Sequence, residues 1–266
     1  MGLTKKITPR SLKIAKSKGE KFAVLTSYDA TLARLSEEAG IDCLLVGDSL
    51  GNVVQGQRST VPVTIDDMCY HTSCVVKGID NALVMVDLPF MTYATPEDTF
   101  ANAAALMQAG AEIVKLEGGA WLAETIHLLS ERGIPTCAHL GLLPQSVNKL
   151  GGFRLQGKNT EDAEQILEDA KCLEAAGADM LLLEMVPRAL AAKITQSIDI
   201  PVIGIGAGNL TDAQVLVVYD LLGLSGYIPS FANNFLEESG SIQKALSAYA
   251  SAVKSGAFPD DSHTPS

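Results

Sequence analysis

From residue 22 to residue 219, short apolar, β-branched runs alternate with longer amphipathic segments, and no other feature constrains the fold as tightly. The runs are FAVLTS (22–27), CLLVGD (43–48), ALVMVD (82–87), EIVKLE (112–117), PTCAHL (135–140), MLLLEM (180–185), PVIGIG (201–206) and QVLVVY (214–219). Near-continuous hydrophobicity over so few residues is the pattern of a strand covered on both faces. Helical periodicity fills intervals near 29–39, 64–78, 96–109, 119–132, 160–176 and 188–198. Thr95-Pro96-Glu97 and Thr160-Glu161-Asp162 supply a cap, a proline or acids to the first turn. The pairs Ala39-Gly40, Ala109-Gly110 and Ala176-Gly177 end helices where glycine takes the left-handed conformation. Eight such units predict a closed α/β (β/α)8 TIM barrel, a single domain over residues 1–266, with an open doubly wound sheet as the alternative. Two segments stand outside the alternation. Residues 8–18 predict a helix closing the barrel bottom, and 233–256 a helical C-terminal tail.

Composition narrows the function. Hydrophobic residues are 47% and aromatics 5%, which fits an aliphatic core, and there is no repeat of solenoid length. A net charge of −11 disfavours nucleic acid or an anionic membrane surface as partner. An anionic substrate then needs a local counter-charge such as a metal. The segment MGLTKKITPR has no apolar stretch behind it, and no run reaches the length of a membrane span, so a cytoplasmic protein is expected. Five cysteines, Cys43, Cys69, Cys74, Cys137 and Cys172, lack CxxC spacing, and only four histidines exist. Neither a disulfide framework nor a zinc site is expected, and Cys43 and Cys137 read as small core residues.

Charge interrupts the apolar runs at one place. Asp48, Asp87, Glu117, His139 and Glu184 fall at or near the C-terminal ends of predicted strands, the rim that carries the active site in a barrel. By alternation Asp87 shares a face with Met85 and Leu83, Glu117 with Lys115, and Glu184 with Leu182. Each alone has a bland reading: a helix cap for Asp48 or Asp87, an ion pair for Lys115 and Glu117, a solvated acid for Glu184, a satisfied core histidine for His139. Together they are harder to dismiss, because carboxylates gathered in a low-dielectric mouth repel unless a cation joins them. Oxygen-only donors suit Mg²⁺ or Mn²⁺ better than zinc. An α-keto acid could chelate such an ion, which acidifies its neighbouring C–H. Formally Asp48, Asp87 and Glu117 bring −3, the ion +2 and Lys115 +1, so the site is close to neutral before an anionic substrate enters. After the seventh strand, Ile203-Gly204-Ile205-Gly206-Ala207-Gly208 suits either a phosphate-binding turn or close packing.

These residues sit in a recognisable series. AGIDCLLVGDSLGNVVQGQRSTVPVT (39–64), MCYHT (68–72), VDLPFMTYATPE (86–97), VKLEGG (114–119), HLGLLPQSVNKLGGFRLQGK (139–158), LLLEMVP (181–187) and IPVIGIGAGNLTDAQVLVVYDLLG (200–223) resemble the successive motifs of the ketopantoate hydroxymethyltransferase family. The resemblance runs from about residue 4 to 258. It implies a barrel that adds a hydroxymethyl group from 5,10-methylenetetrahydrofolate to 3-methyl-2-oxobutanoate, giving 2-dehydropantoate for pantothenate synthesis. It implies Asp48, Asp87 and Glu117 as magnesium ligands, one ion per subunit. Asp48, Ser49, Asp87 and Lys115 would contact the keto acid, Glu184 would be the base at C3, and His139 would hydrogen-bond near the substrate or leaving amine. A homodecamer of two stacked pentameric rings is implied as well. Gly151 to Gly157, with Arg154 facing an anionic tail, would be a cover over the folate or an ordinary surface loop. The chain departs from the family pattern at Ser230 (usually lysine), Asn52 (commonly methionine), Lys77 (commonly arginine) and in a Ser225-Gly226-Tyr227 segment one residue short. These put folate-tail affinity, inhibitor response or subunit packing in doubt rather than the reaction.

Two rivals remain. The GDS turn after the second strand also suits the phosphoenolpyruvate mutase and isocitrate lyase superfamily, but neither its cysteine-bearing loop nor a phosphonate-binding arginine set is evident. A non-catalytic barrel would be expected to have lost the strand-end acids, and all are present.

Overall fold

In the computed structural model, which describes residues 5–264, eight parallel strands close on themselves in sequence order. They are β1 (Phe22–Thr26), β2 (Cys43–Val46), β3 (Leu83–Asp87), β4 (Ile113–Glu117), β5 (Thr136–Gly141), β6 (Met180–Glu184), β7 (Val202–Ile205) and β8 (Ala213–Leu216). Closure is made by β1 against β8, with Phe22 opposite Ala213 and Leu25 opposite Leu216. The barrel expectation therefore holds and the open sheet does not.

Helices wrap the outside. The first half carries α1 (Pro9–Ser17), α2 (Ala30–Glu38), α3 (Leu50–Val53), α4 (Ile65–Val75), α5 (Pro96–Ala109) and α6 (Ala123–Glu131). The second carries α7 (Val147–Leu150), α8 (Thr160–Ala175), α9 (Arg188–Ser197), α10 (Val218–Leu221), α11 (Phe235–Ser239) and α12 (Ile242–Ser255). Thr95 caps α5 as expected, accepting the amide of Asp98 with Pro96 in the first turn. The cap of α8 is Asn159, one residue before the expected threonine, because its side chain reaches the Asp162 amide. Gly40, Gly110 and Gly177 have φ of 93°, 114° and 105°, the left-handed closures anticipated for the Ala-Gly pairs.

Several boundaries differ from the sequence reading. The tail of 233–256 is two helices, broken where Gly240 turns left-handed (φ 71°) and Ser241 starts α12 by accepting the Lys244 amide. The eighth strand ends at Leu216, and Val218 already lies in α10. The segments 64–78 and 119–132 each combine an α-helix with a tight 3-10 turn, Val76–Gly78 and Ala120–Leu122.

Two cores result from the alternation of strand side chains. Inside the barrel pack Phe22, Val24, Cys43, Leu45, Leu83, Met85, Ile113, Cys137, Met180, Leu182, Ile203, Ala213 and Val215. The outward residues, among them Leu25, Leu44, Val84, Val114 and Leu181, meet the helices. At the N-terminal end of the barrel α1 inserts Leu12 into the inner core, and Lys16 anchors the helix to Asp212 at 3.0 Å and to the carbonyls of Thr195 and Ile200. The helix at the barrel bottom is thus where the sequence placed it. Among the described residues no helix is long and apolar enough to cross a membrane.

Candidate active site

The inward parity of β3 to β6 lifts Asp87, Lys115, Glu117, His139 and Glu184 from the packed interior to the C-terminal rim. There they line a cavity of about 840 Å³, open mouth included, with Asp48 and Ser49 on the same wall. Asp48 has the parity of Leu44 and Val46, which point outward. The strand ends before it, and the turn at Gly47 brings it to the rim beside Asp87. The apolar part of the wall is Leu182, Ile205, Val215, Leu216 and Phe231. All seven residues predicted for the site are therefore in one place.

The bland alternatives for Asp48, Asp87 and His139 do not describe the contacts made, and the Lys115–Glu117 pair is only part of a larger cluster. Neither strand-end aspartate caps a helix: Asp87 Oδ2 accepts the backbone N–H of Asp48 at 2.9 Å, and α3 begins without a side-chain cap. Lys115 is 3.8 Å from Glu117 Oε1 but 2.8 Å from Asp87 Oδ1, an ion pair whose geometry leaves that oxygen without a hydrogen bond. His139 meets no backbone carbonyl. Its Nδ1 lies 3.4 Å from Glu117 Oε1 and its Nε2 3.4 Å from Glu184 Oε2, distances of charge proximity rather than hydrogen bonding, so Nε2 is buried without a partner.

The electrostatics follow from burial. Asp48, Asp87, Lys115, Glu117 and His139 are all buried. Burial, then the charges of Asp87 and Glu117, push the carboxyl of Asp48 well above its ordinary range. Burial pulls Lys115 down, yet Asp87, Glu117 and Asp48 outweigh it and hold the ammonium above the usual lysine range. Burial would also raise Glu117, but His139 and Lys115 hold it below the usual value. His139 is raised despite burial and Lys115, because Glu117 and Glu184 flank it.

Three carboxylates facing one ammonium leave the cavity short of positive charge. Among the described residues no three His, Cys, Asp or Glu side chains form a ready-made metal cage. The donor set nevertheless fits a hard ion that keeps several waters and takes only one or two carboxylates directly. Asp87 Oδ1 is a buried oxygen that meets only the Lys115 ammonium and makes no hydrogen bond, and Asp48 turns only Oδ2 to a donor. Asp48 and Asp87, with Glu117 beyond them, could hold such an ion.

Sequence reasoning missed the residues that link these groups. Gln145, in the connection after β5, donates through Nε2 to Asp48 Oδ2 and through its backbone N–H to Glu117 Oε2. Tyr93 donates to Gln145 Oε1 at 2.5 Å, and Tyr28 shares a hydrogen bond with Ser49 at 2.9 Å. A lone glutamine beyond a strand and two tyrosines in loops give no periodic signal, so only the folded chain reveals them. Gly141, at the end of β5, has φ 90°, and a Cβ there would sit 2.2 Å from the carbonyl oxygen of Glu184. It lets the Glu184 backbone close on β5.

The other sequence features resolve differently. Side chains of Met185, Phe231 and Arg188 fill the space over Gly206 and Gly208, which favours the packing reading of that turn. Phe153 of the glycine-rich segment is exposed and lines the cavity mouth, while the Gln156 amide ties the segment to Met185. Among the departures, Asn52 lines the cavity, whereas Lys77 and Ser230 are exposed.

Comparison with known proteins identifies the family. The sequence profile described as ketopantoate hydroxymethyltransferase matches residues 6–261. The 3-methyl-2-oxobutanoate hydroxymethyltransferase of Shewanella halifaxensis (strain HAW-EB4) is 55% identical over 260 residues, 97% of this chain and 98% of the relative. The enzyme of the same name from Colwellia psychrerythraea (strain 34H / ATCC BAA-681) is 55% identical over 259 residues, again 97% and 98% of the two chains. Among solved structures, a phosphonopyruvate hydrolase superposes with a TM-score of 0.63 at 12% identity, over 98% of this chain and 92% of that one. A 2,3-dimethylmalate lyase of the PEP mutase/isocitrate lyase superfamily gives 0.59 at 17%, over 83% and 81%. At such identities these two show a shared fold and nothing of the chemistry. The match over nearly the whole length places this chain in the ketopantoate hydroxymethyltransferase family.

Proposed function

We propose that the chain transfers a hydroxymethyl group from 5,10-methylenetetrahydrofolate to 3-methyl-2-oxobutanoate, giving 2-dehydropantoate and tetrahydrofolate. The observation that carries this reading is one cavity holding an anionic wall, a buried ammonium and a separate carboxylate, Glu184. Asp48, Asp87 and Glu117 would hold a magnesium ion. When bound, the ion would draw electron density from the keto oxygen as a Lewis acid.

The chain's own groups do the rest. Lys115, fixed 2.8 Å from Asp87, turns positive charge toward the substrate's oxygens, and Ser49 borders them from the adjacent wall. Leu182, Ile205 and Val215 supply an apolar surface suited to the substrate's isopropyl group. Glu184 takes the C3 proton. His139, 3.4 Å away, steadies the developing charge pattern between Glu184 and Glu117. C3 then bonds to the folate methylene carbon and water supplies the hydroxyl oxygen as that carbon's two bonds to folate nitrogens break; the proton held by Glu184 and one from the water go to those nitrogens, and tetrahydrofolate leaves. The segment carrying Phe153 and Arg154 covers the folate from the mouth. A homodecamer belongs to the same reading, in which the exposed Tyr70, Trp121 and Tyr227 would be candidates for burial between subunits.

The test is incubation with both substrates and Mg²⁺, with and without chelator, assayed for 2-dehydropantoate. Product should form only with the ion. Glu184→Gln should retain keto-acid binding and lower turnover by about 10²–10⁴-fold. If deuterium exchange at C3 in that variant ran at the unmodified rate, Glu184 would not be the base.

A further inference from the structure

Each of the three carboxylates has an oxygen hydrogen-bonded to the chain, and Asp87 also pairs its other oxygen with Lys115. Asp87 Oδ2 takes the Asp48 amide, Asp48 Oδ2 takes Gln145 Nε2 at 2.8 Å, and Glu117 Oε2 takes the Gln145 amide at 3.1 Å. Two of these three engagements come from one buried residue. Its side chain is fully satisfied, since Nε2 also donates to the Leu88 carbonyl at 3.0 Å and Oε1 accepts the Tyr93 hydroxyl. The amide has only one workable orientation. Reversed, its oxygen would face the Asp48 carboxylate and the Leu88 carbonyl, two acceptors.

We propose that Gln145 is a positioning residue that confines Asp48 and Glu117 to coordination through one oxygen each, and so selects a small octahedral divalent ion over a larger one. The inference rests on the metal reading above. Calcium takes six to eight oxygens at longer distances and gains from carboxylates that bind through both, whereas magnesium requires a near-ideal octahedron of single oxygens. For Asp48 to bind through both oxygens, the ion would have to share Oδ2 with the buried Gln145 N–H, which weakens that hydrogen bond and disfavours two-oxygen binding. Glu117 meets the same obstacle at the backbone. Tyr93 holds the other end of the amide and so fixes its orientation further.

The test is calorimetric titration of the metal-free full chain with MgCl₂ and, separately, CaCl₂, for the unmodified protein, Q145L and Y93F. Unmodified protein should prefer Mg²⁺. Q145L should lose about tenfold or more of the Mg²⁺:Ca²⁺ affinity ratio. Y93F, which keeps the glutamine but frees the amide, should lose about threefold. A merely structural role would weaken both ions in proportion and leave the ratio unchanged. Circular dichroism checks folding, and if Q145L does not fold, Y93F decides. Unchanged ratios in the folded variants, or equal affinity of the unmodified protein for both ions, would overturn the assignment of Gln145 alone. If the unmodified protein binds neither ion, the metal reading falls with it.

Discussion

Replacing Lys115 by methionine keeps most of the side-chain volume and deletes the positive charge that three buried carboxylates surround. Breaking a buried pair costs about 3–5 kcal/mol in general. Here protonation sets a ceiling, because one further carboxyl can take a proton from solvent in place of the lost ammonium. From an unfolded pKa near 3.9, that costs about 4 kcal/mol at pH 7 and about 1.5 kcal/mol at pH 5. With an unfolding entropy of about 2.1 cal/mol/K per residue over 266 residues, the melting temperature should fall by about 7 °C at pH 7 and about 3 °C at pH 5. The sign follows from linkage. The carboxyl concerned has a folded pKa above its unfolded one, the direction in which Asp48 already stands. The stability it contributes is present below the unfolded value and is lost as pH rises, so the variant's deficit grows toward neutrality. Thermal melts of both proteins in chelator across pH 5 to 7 measure it. A deficit that does not change with pH would show that Lys115 matters for packing, and the charge account of this cavity would be wrong.

Three further outcomes are expected. Saturating Mg²⁺ with 3-methyl-2-oxobutanoate should raise the melting temperature of the unmodified chain, by about 2.7 kcal/mol of added stability at a hundredfold excess over Kd. Chelator should abolish the rise; a shift that survives it would argue against a metal-dependent site. Gly141→Ala should disrupt the site far more than Gly133→Ala, a left-handed position with open space around it that costs about 1–2 kcal/mol, as measured by chemical denaturation and turnover. Equal losses would remove Gly141 from the account of Glu184. A thiol reagent at pH 8 should label Cys69, Cys74 and Cys172 in the native chain but spare Cys43 and Cys137. Burial pushes Cys137 up to about 12 and Cys43 also well above the ordinary thiol range, so labelling of all five without denaturant would refute the packed-barrel interior.

The barrel was legible because its signal is repeated eight times, and the acids because each interrupts an apolar run at its end. The site depends on parity as well as on strand ends. Glu117 and Lys115 share a face in the sequence and in the fold, so alternation placed them correctly. Asp48 has the wrong parity and reaches the rim only because the chain leaves β2 at Val46, two residues before it. The helix break at Gly240 was written as Ser239-Gly240-Ser241, but apolar periodicity resumes beyond it and hides a single left-handed residue. Val217 and Val218 continue the hydrophobic pattern of β8, although the backbone pairing with β1 has ended and the Val218 amide turns to the Thr26 hydroxyl. Gln145 was invisible for another reason. Its significance lies in partners 28 to 97 positions away, which no local pattern records.

Leu12 sealing the lower end of the barrel makes the protein a cup rather than a tube. Whatever reaches Asp87 and Lys115 must arrive from above and depart the same way. On the reading proposed above, the small keto acid would seat deepest with the bulky folate over it, so geometry would impose the order of arrival, and the spent carrier would vacate before the product beneath could escape. Turnover in such a vessel is governed by traffic at a single doorway.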